Sequence, residues 1–229
     1  MATLVFVHGS GCTGEVFAAQ SDAFPGSLAV TLPGHTIPGE PSSIAEMADA
    51  VATQCEERSI DDAVIVGNSM GGAIALELAL RRDPHVRAIA LLGSGAKLRV
   101  GRAIFDAIAA DFPSAARMLA GYFFSEPPES SIAWAVAEML RVGAPQTARD
   151  FHACDSFDVT GRLSEIALPV LALTGERDVM TPPRFAALIA DRVPGATARI
   201  VAGAGHLVMV ERPNDTNEAL RAFVTGIVA

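Results

Sequence analysis

A serine set between two glycines is the residue whose surroundings point most directly to catalysis. Gly67-Asn68-Ser69-Met70-Gly71 fits the pattern G-x-S-x-G, directly after an apolar run and directly before an Ala- and Leu-rich helical pattern. A sharp strand-to-helix turn holds such a serine at strained backbone angles, and a Cβ at the flanking glycines would collide with neighbouring backbone. Because this turn lifts the hydroxyl clear of the sheet, we predict that Ser69 is a nucleophile.

Two backbone N–H groups are predicted to stabilise negative charge on a bound carbonyl oxygen. Met70 follows the serine at the helix N-terminus, where free N–H groups and the helix dipole favour an anion. Ser10 lies in His8-Gly9-Ser10-Gly11, a glycine-rich loop after the first apolar run, where the backbone can approach a ligand closely. Ser10 and Met70 are therefore the candidate oxyanion-hole donors, and His8 is assigned a structural role beneath the loop.

A serine hydroxyl requires a base near neutral pH, and the chain contains five histidines. His206, in Gly203-Ala204-Gly205-His206, follows the last predicted strand in a loop that would carry it toward Ser69. His35 ends the second predicted strand at the same edge of the sheet and is the nearest alternative. His85 and His152 are predicted to lie at the surface and in a helical insertion. His206 is thus the predicted general base.

The imidazole of such a base needs a carboxylate that fixes its tautomer and stabilises the imidazolium. Asp178 follows the fifth predicted strand, again at the carboxyl edge of the sheet, and completes the chain order Ser, Asp, His. Glu176 shares the same loop and is the alternative acid. Glu211-Arg212, just after the predicted base, is interpreted as a surface or loop-anchoring pair.

Three cysteines, Cys12, Cys55 and Cys154, are widely spaced and form no CxxC pair. Neither a disulfide framework nor a zinc cluster is indicated, and we predict no metal and no cofactor. Cys12 lies near the predicted site and is an alternative nucleophile, but no histidine stands at a diagnostic spacing from it. A packing role is the favoured interpretation for Cys12.

Short apolar runs bounded by Gly, Pro or Asp alternate with helical patterns, which is typical of a mostly parallel sheet covered by helices on both faces. The predicted strands are 4–7, 28–32, 63–66, 88–92, 170–174 and 198–201. The predicted helices between and after them are 44–58, 70–82, 183–190 and 217–228. The fold class is therefore α/β, with a six-stranded sheet.

Residues 97–162 interrupt this alternation, because they contain helical patterns and no strand. The helices predicted there are 102–110, 115–123, 132–142 and 144–154. We interpret 97–162 as a helical cap inserted into a core formed by 1–96 and 163–229. Its Phe, Met, Leu and Trp134 side chains could roof an apolar pocket, although most of them are expected to pack the cap on the core.

Composition and charge restrict the possible partners. The 229 residues, half of them hydrophobic, suit one domain, and the formal net charge of −9 disfavours nucleic acid and anionic membrane surfaces. The N-terminal residues show neither a basic n-region nor an apolar run long enough for a signal peptide or membrane span. A cytoplasmic protein with a small-molecule substrate is expected, and the oligomeric state is left open.

Taken together, these residues resemble the α/β-hydrolase superfamily over nearly the whole chain, from His8-Gly9 through Gly67–Gly71 and Asp178 to Gly205-His206. The resemblance implies the α/β-hydrolase fold, a Ser-His-Asp triad, an oxyanion hole from the two backbone donors, a helical cap and no cofactor. It also implies a sheet that lacks the first two strands usual in the family. The activity expected is hydrolysis of a carboxylic ester of a small, mostly apolar substrate through an acyl-enzyme, as in small bacterial carboxylesterases.

Several alternatives stay open within and beyond this family. Asn68 and Met70 beside the serine are similar to the meta-cleavage-product hydrolases, which cut carbon–carbon bonds, and lactone opening is a second alternative chemistry. Phe17 stands where a tryptophan is common in the family. In related hydroxynitrile lyases a lysine follows the histidine, and because Leu207 stands there in this chain, cyanohydrin chemistry is disfavoured. A slow or non-catalytic ligand receptor is the alternative from another functional class.

Overall fold

A parallel sheet forms the centre of the computed structural model, which describes residues 2–228. Its six strands are β1 (Thr3–Val7), β2 (Leu28–Val30), β3 (Ala63–Asn68), β4 (Val86–Leu92), β5 (Val170–Gly175) and β6 (Thr197–Val201). Hydrogen bonds join them in the order β2-β1-β3-β4-β5-β6, and every one of these pairings is parallel. The predicted α/β class and six-stranded sheet are therefore confirmed.

Helices cover both faces of this sheet. Those of the sheet-forming part are α1 (Ala18–Ala23), α2 (Ile44–Glu57), α3 (Met70–Arg81), α8 (Arg184–Arg192), α9 (Val208–Glu211) and α10 (Pro213–Val228). Between β4 and β5 lie α4 (Arg102–Ala110), α5 (Phe112–Phe123), α6 (Glu129–Val142) and α7 (Ala144–Ser156), with no strand among them. We call these four helices the helical insertion. The division of the chain at 97 and 162 into core and cap stays a prediction.

The central strand β3 is apolar up to Gly67 because both of its faces are buried. All six residues of β3 are buried, and alternate side chains enter different cores, as the two-residue repeat of a strand requires. Ile65 packs in the core on the α2 and α3 side, whereas Val66 packs in the core that also contains residues of the helical insertion. Burial on both faces explains why β3 reads as a continuous apolar run.

Several element boundaries differ from the sequence-based prediction. Strand β3 extends to Asn68 rather than 66, because Gly67 and Asn68 still pair with Leu91 and Leu92 of β4. Strand β2 ends at Val30 rather than 32, and the Leu32 N–H donates instead to the His8 ring, 3.1 Å away. Helices α1 and α9 were not predicted, and α10 begins at Pro213 rather than 217. Helices α1 and α9 contain too few residues to show a helical period.

No helix within residues 2–228 combines the length and the apolar character needed to cross a bilayer. The cytoplasmic location inferred from the sequence stays a prediction.

Candidate active site

Ser69 lies at a backbone position that few side chains tolerate. Its φ of 51° and ψ of −113° place it at the sharp junction between β3 and α3. The turn is held by the Ser69 N–H, which donates to the Leu92 carbonyl at 3.0 Å, and by the Ser94 hydroxyl, which donates to the Ser69 carbonyl at 2.7 Å. The strained geometry expected of the G-x-S-x-G segment is present in the structure.

Gly67→Ala is expected to lower the free energy of unfolding by about 3 kcal/mol or more, because a Cβ there would lie only 2.0 Å from the Gly71 carbonyl oxygen. Urea denaturation followed by circular dichroism measures this change. Gly121→Ala is the matched control, since a Cβ at this exposed helical position would meet no atom within 4 Å apart from the nearby backbone of its own helix. The control is expected to stabilise the protein by up to about 1 kcal/mol. Equal stability of both variants would contradict a tightly packed turn.

His206 and Asp178 are brought together in the buried interior at the carboxyl edge of the sheet. The His206 Nδ1 lies 2.9 Å from the Asp178 Oδ2, and both side chains are almost wholly buried. The other carboxylate oxygen, Oδ1, accepts from the N–H groups of Met180 at 2.9 Å and Thr181 at 2.8 Å. The Thr181 hydroxyl donates to Asp178 Oδ2 at 2.7 Å. This carboxylate is thus fixed on all sides.

These contacts keep Asp178 ionised. Burial by itself raises the pKa of the Asp178 carboxyl, but the adjacent His206 and the hydrogen bonds from His206 and Thr181 together lower it below its ordinary value. An ionised carboxylate only accepts hydrogen bonds, so it favours the His206 tautomer with its proton on Nδ1. The lone pair on Nε2 is then free to accept a proton.

Ser69 and His206 line the same small cavity, together with Gly9, Ser10 and Asn68. Their relation is a shared cavity wall rather than a hydrogen bond. A second cavity adjoins the first and also contains Ser10 and Ser69. Its remaining wall is mostly apolar and is formed by Leu98, Arg99, Val100, Phe151, Cys154, Met180, Thr181 and Phe185. The two cavities therefore place a mostly apolar space beside the serine.

Of the two predicted oxyanion donors, Ser10 lines both cavities and Met70 directly follows Ser69 in the chain. Met70 is the first residue of α3, where an N–H has no intrahelical acceptor. Neither N–H donates a hydrogen bond to another group within residues 2–228. The Ser10 hydroxyl points elsewhere, toward the sulfur atoms of Met70 and Cys154, each 3.6 Å away.

The alternative site residues occupy other environments. His35 is buried against Asp150 and does not line either cavity at Ser69. Glu176 is exposed, and its carboxylate accepts from the Gly203 N–H at 2.9 Å rather than from His206. Cys12 does line the cavity, but burial and then the charges of Glu138 and Asp150 raise the pKa of its thiol to about 12, so it stays protonated.

His8 has the structural position expected for it. Its Nε2 accepts from the Leu32 N–H and its Nδ1 lies 2.9 Å from the Gly9 carbonyl, which it contacts as donor. Burial, and after it the neighbouring His35, lower the pKa of His8 to about 3, so the ring is neutral. The His8 ring thereby connects the glycine-rich loop His8-Gly9-Ser10-Gly11, called the Ser10 loop below, to the segment after β2.

Two supporting residues, Asn68 and Thr181, have no supporting role in the sequence-based prediction, whereas Glu211 has two alternative ones. The Asn68 amide donates to the His206 carbonyl at 3.3 Å, and the Glu211 carboxylate accepts from the Gly205 N–H at 2.5 Å. Glu211 therefore anchors the His206 loop, as the second of its two suggested roles required. Thr181 could have been found from its spacing, because an Asp three residues earlier often accepts from the backbone of such a turn. Asn68 gave no comparable local signal.

Within residues 2–228, no group of three or more His, Cys, Asp or Glu side chains is arranged to hold a metal ion.

Comparison with known sequences decides the family, because the family model of the Alpha/beta hydrolase family matches residues 4–219. The chain belongs to the alpha/beta hydrolase family.

Relatives within this family include enzymes that act on esters and lactones. A pimeloyl-[acyl-carrier protein] methyl ester esterase of Neisseria meningitidis is 28% identical over 244 residues, covering 97% of this chain and 76% of that protein. The structure of a thermophilic esterase superposes with a TM-score of 0.89 at 26% identity, covering 99% of this chain and 91% of the other. Est816, described as an N-acyl homoserine lactone degrading enzyme, gives a TM-score of 0.85 at 28% identity, with 97% and 93% covered. This alpha/beta hydrolase is therefore similar to esterases and to a lactone-degrading enzyme.

Proposed function

We propose that this alpha/beta hydrolase is a serine esterase that cleaves carboxylic esters of small, mostly apolar substrates. The observation that carries the proposal is the strained Ser69 at the N-terminus of α3, lining one cavity with a His206 whose Nδ1 lies 2.9 Å from buried Asp178. A hydroxyl, an imidazole and a carboxylate in this order form the proton-transfer chain that acyl transfer requires.

In the proposed reaction, the Ser69 Oγ attacks the acyl carbon while the His206 Nε2 accepts the hydroxyl proton. The carbonyl π electrons move to the oxygen, where the N–H groups of Ser10 and Met70 stabilise the negative charge. Collapse of this intermediate breaks the ester bond, and His206 returns the proton to the departing alcohol. Water then attacks the acyl-enzyme by the same route in reverse, while Asp178 stays ionised and stabilises the imidazolium.

The helical insertion is proposed to act as a cap that supplies part of the substrate pocket. Phe123 of α5 lines the cavity of Ser69, and Phe151 of α7 lines both cavities. Met180 contributes apolar surface from the core side. Such a wall suits an apolar acyl or alcohol group, and Arg99 is the single charged side chain in the wall of the second cavity.

Lactone opening is the second candidate, and the similarity to Est816 favours it. A lactone is a cyclic ester, so the same nucleophile, base and oxyanion donors serve both reactions. The difference lies in the leaving group, which stays attached to the acyl-enzyme when the ring opens. The site chemistry alone therefore supports both, and substrate choice separates them.

A panel of p-nitrophenyl esters with acyl chains of increasing length, run beside a set of N-acyl homoserine lactones, tests the proposal. We expect kcat/KM for the esters to exceed that for the lactones. It should peak at a short or medium acyl chain, because Phe123 limits the first cavity beside Ser69 and Phe151 limits both. Faster lactone opening would make the second candidate the correct one. Turnover of neither class would contradict the proposal.

A further inference from the structure

A buried His–Asp pair lies behind the Ser10 loop, outside the residues to which the proposed reaction assigns a role. Asp150 of α7 and His35 of the segment after β2 are both fully buried, and the His35 Nε2 lies 2.8 Å from the Asp150 Oδ2. The same carboxylate oxygen accepts from the Gly11 N–H at 2.9 Å. Its second oxygen accepts from the Gln146 amide at 2.8 Å. Asp150, a side chain of the helical insertion, therefore contacts the Ser10 loop directly.

The His35 ring is held by polar contacts at both of its nitrogens. Its Nε2 faces a carboxylate oxygen of Asp150, and its Nδ1 faces the Pro33 carbonyl at 3.1 Å. The neutral ring of His8 stands edge-on at 4.6 Å between centroids. The contacts with His35, Gly11 and Gln146 satisfy the oxygens of the buried Asp150 side chain, as a buried polar group requires.

The bond to Gly11 constrains the neighbouring Ser10. Gly11 has a φ of 66°, a left-handed conformation that glycine adopts at no steric cost. Because the Ser10–Gly11 peptide is planar, fixing the Gly11 N–H also fixes the direction of the Ser10 carbonyl. The Cys12 N–H closes the turn by donating to the Gly9 carbonyl at 3.3 Å. Only the dihedral angles of Ser10 itself then remain to aim its N–H.

We propose that Asp150 is a positioning residue, which holds the Gly9–Cys12 turn so that the Ser10 N–H faces the oxygen of the transition state. The inference rests on the proposed function, because it needs Ser10 as an oxyanion donor. In this proposal the helical insertion does more than cover the pocket. Its contact with the loop also makes the activity depend on how the insertion packs against the core. Asp150 touches no reacting atom and acts through Gly11.

A second contact keeps the insertion docked when Asp150 is replaced. The buried Glu138 of α6 accepts from the Thr13 hydroxyl at 2.9 Å and from Arg141 at 2.7 Å, and Arg141 also pairs with Glu15 at 3.0 Å. This cluster joins α6 to the far end of the same loop. Variants at Asp150 are therefore expected to stay folded while the Gly11 end of the loop loses its constraint.

The test compares Asp150→Ala and Asp150→Asn with Asp155→Asn in the full-length protein. Asp155 lies on the same helix and also accepts a backbone N–H, that of Val100 at 3.0 Å, but it does not contact the Ser10 loop. For each variant, kcat and KM for p-nitrophenyl butyrate and the thermal midpoint are measured. Inhibition by an alkyl trifluoromethyl ketone is added, because this probe forms a hemiketal oxyanion with the serine hydroxyl and a purely structural change would leave its affinity unaltered.

Asp150→Ala is expected to lower kcat about 10- to 100-fold, less than removal of a whole donor, with KM within about threefold of native. The inhibition constant of the ketone is expected to rise by a factor similar to the fall in kcat/KM. Asp150→Asn, whose amide oxygen can still accept from Gly11, should lose only about three- to tenfold, and Asp155→Asn less than about twofold.

If Asp150→Ala has the same kcat as the native protein and only its thermal midpoint is lower, the inference is overturned and the proposed function is unaffected. If Asp150→Ala does not fold, equal kcat values for Asp150→Asn and Asp155→Asn would overturn it. Absence of turnover by the native protein would refute the proposed function and the inference with it.

Discussion

Ser69→Ala is expected to reduce kcat for p-nitrophenyl butyrate by at least about 10⁴-fold, because the substitution removes the proposed nucleophile. KM should change little, since the substitution removes only one oxygen atom from the cavity wall. Release of p-nitrophenol, followed by absorbance, measures the loss, and circular dichroism checks that the variant is folded. The remaining rate should approach that of the oxyanion hole and binding alone.

Ser130→Ala is the matched control for this variant. Ser130 is an exposed serine of α6, so its loss should leave kcat within about twofold of native. Full turnover in a folded Ser69→Ala variant would show that another nucleophile acts, and Cys12 and Cys154 would be the next residues to replace.

Asp178→Asn is expected to lower kcat about 10²- to 10⁴-fold, through the tautomer of His206 rather than through binding. An asparagine can present its NH₂ group to the imidazole, which favours the ring with its proton on Nε2 and removes the base. The measurement is the same ester assay, with the thermal midpoint recorded in parallel.

Glu176→Gln separates this role from a general effect of charge near the site. Glu176 stands two residues earlier in the same loop and contacts Gly203, not His206. We expect its kcat to stay within about threefold of native. A loss as large as that of Asp178→Asn would make Glu176 the acid, and an active Asp178→Asn variant would exclude Asp178.

Much of the fold follows from local sequence patterns. Buried parallel strands leave continuous apolar runs, so β1, β4 and β5 could be placed within two residues of their ends. The helices that pack on them show the helical period for the same reason. The ends of the strands were harder to predict, because a strand continues for as long as the neighbouring strand supplies hydrogen-bond partners. The end of β2 depends on the ring of His8, which lies 24 residues away from Leu32 in the sequence.

The candidate site divides in the same way between local and distant information. Ser69, Asp178 and His206 could be proposed from the turns in which they stand and from their order along the chain. Asp150 could not, because an acidic residue inside a predicted helix carries no sign of the loop that it contacts, 139 residues before it. His35 was a competing base by position alone, and only its pairing with Asp150 gives it a different role. Tertiary contacts of this kind leave no pattern in a single sequence.

Covalent labelling with an alkyl fluorophosphonate, followed by tandem mass spectrometry of the digested protein, tests the central claim most directly. This probe reacts with a serine only when a neighbouring base activates it, so we predict one phosphonyl group per chain, on Ser69, and none when the protein is unfolded first. A phosphonyl group on another residue, or no labelling of a native protein that hydrolyses esters, would contradict the account.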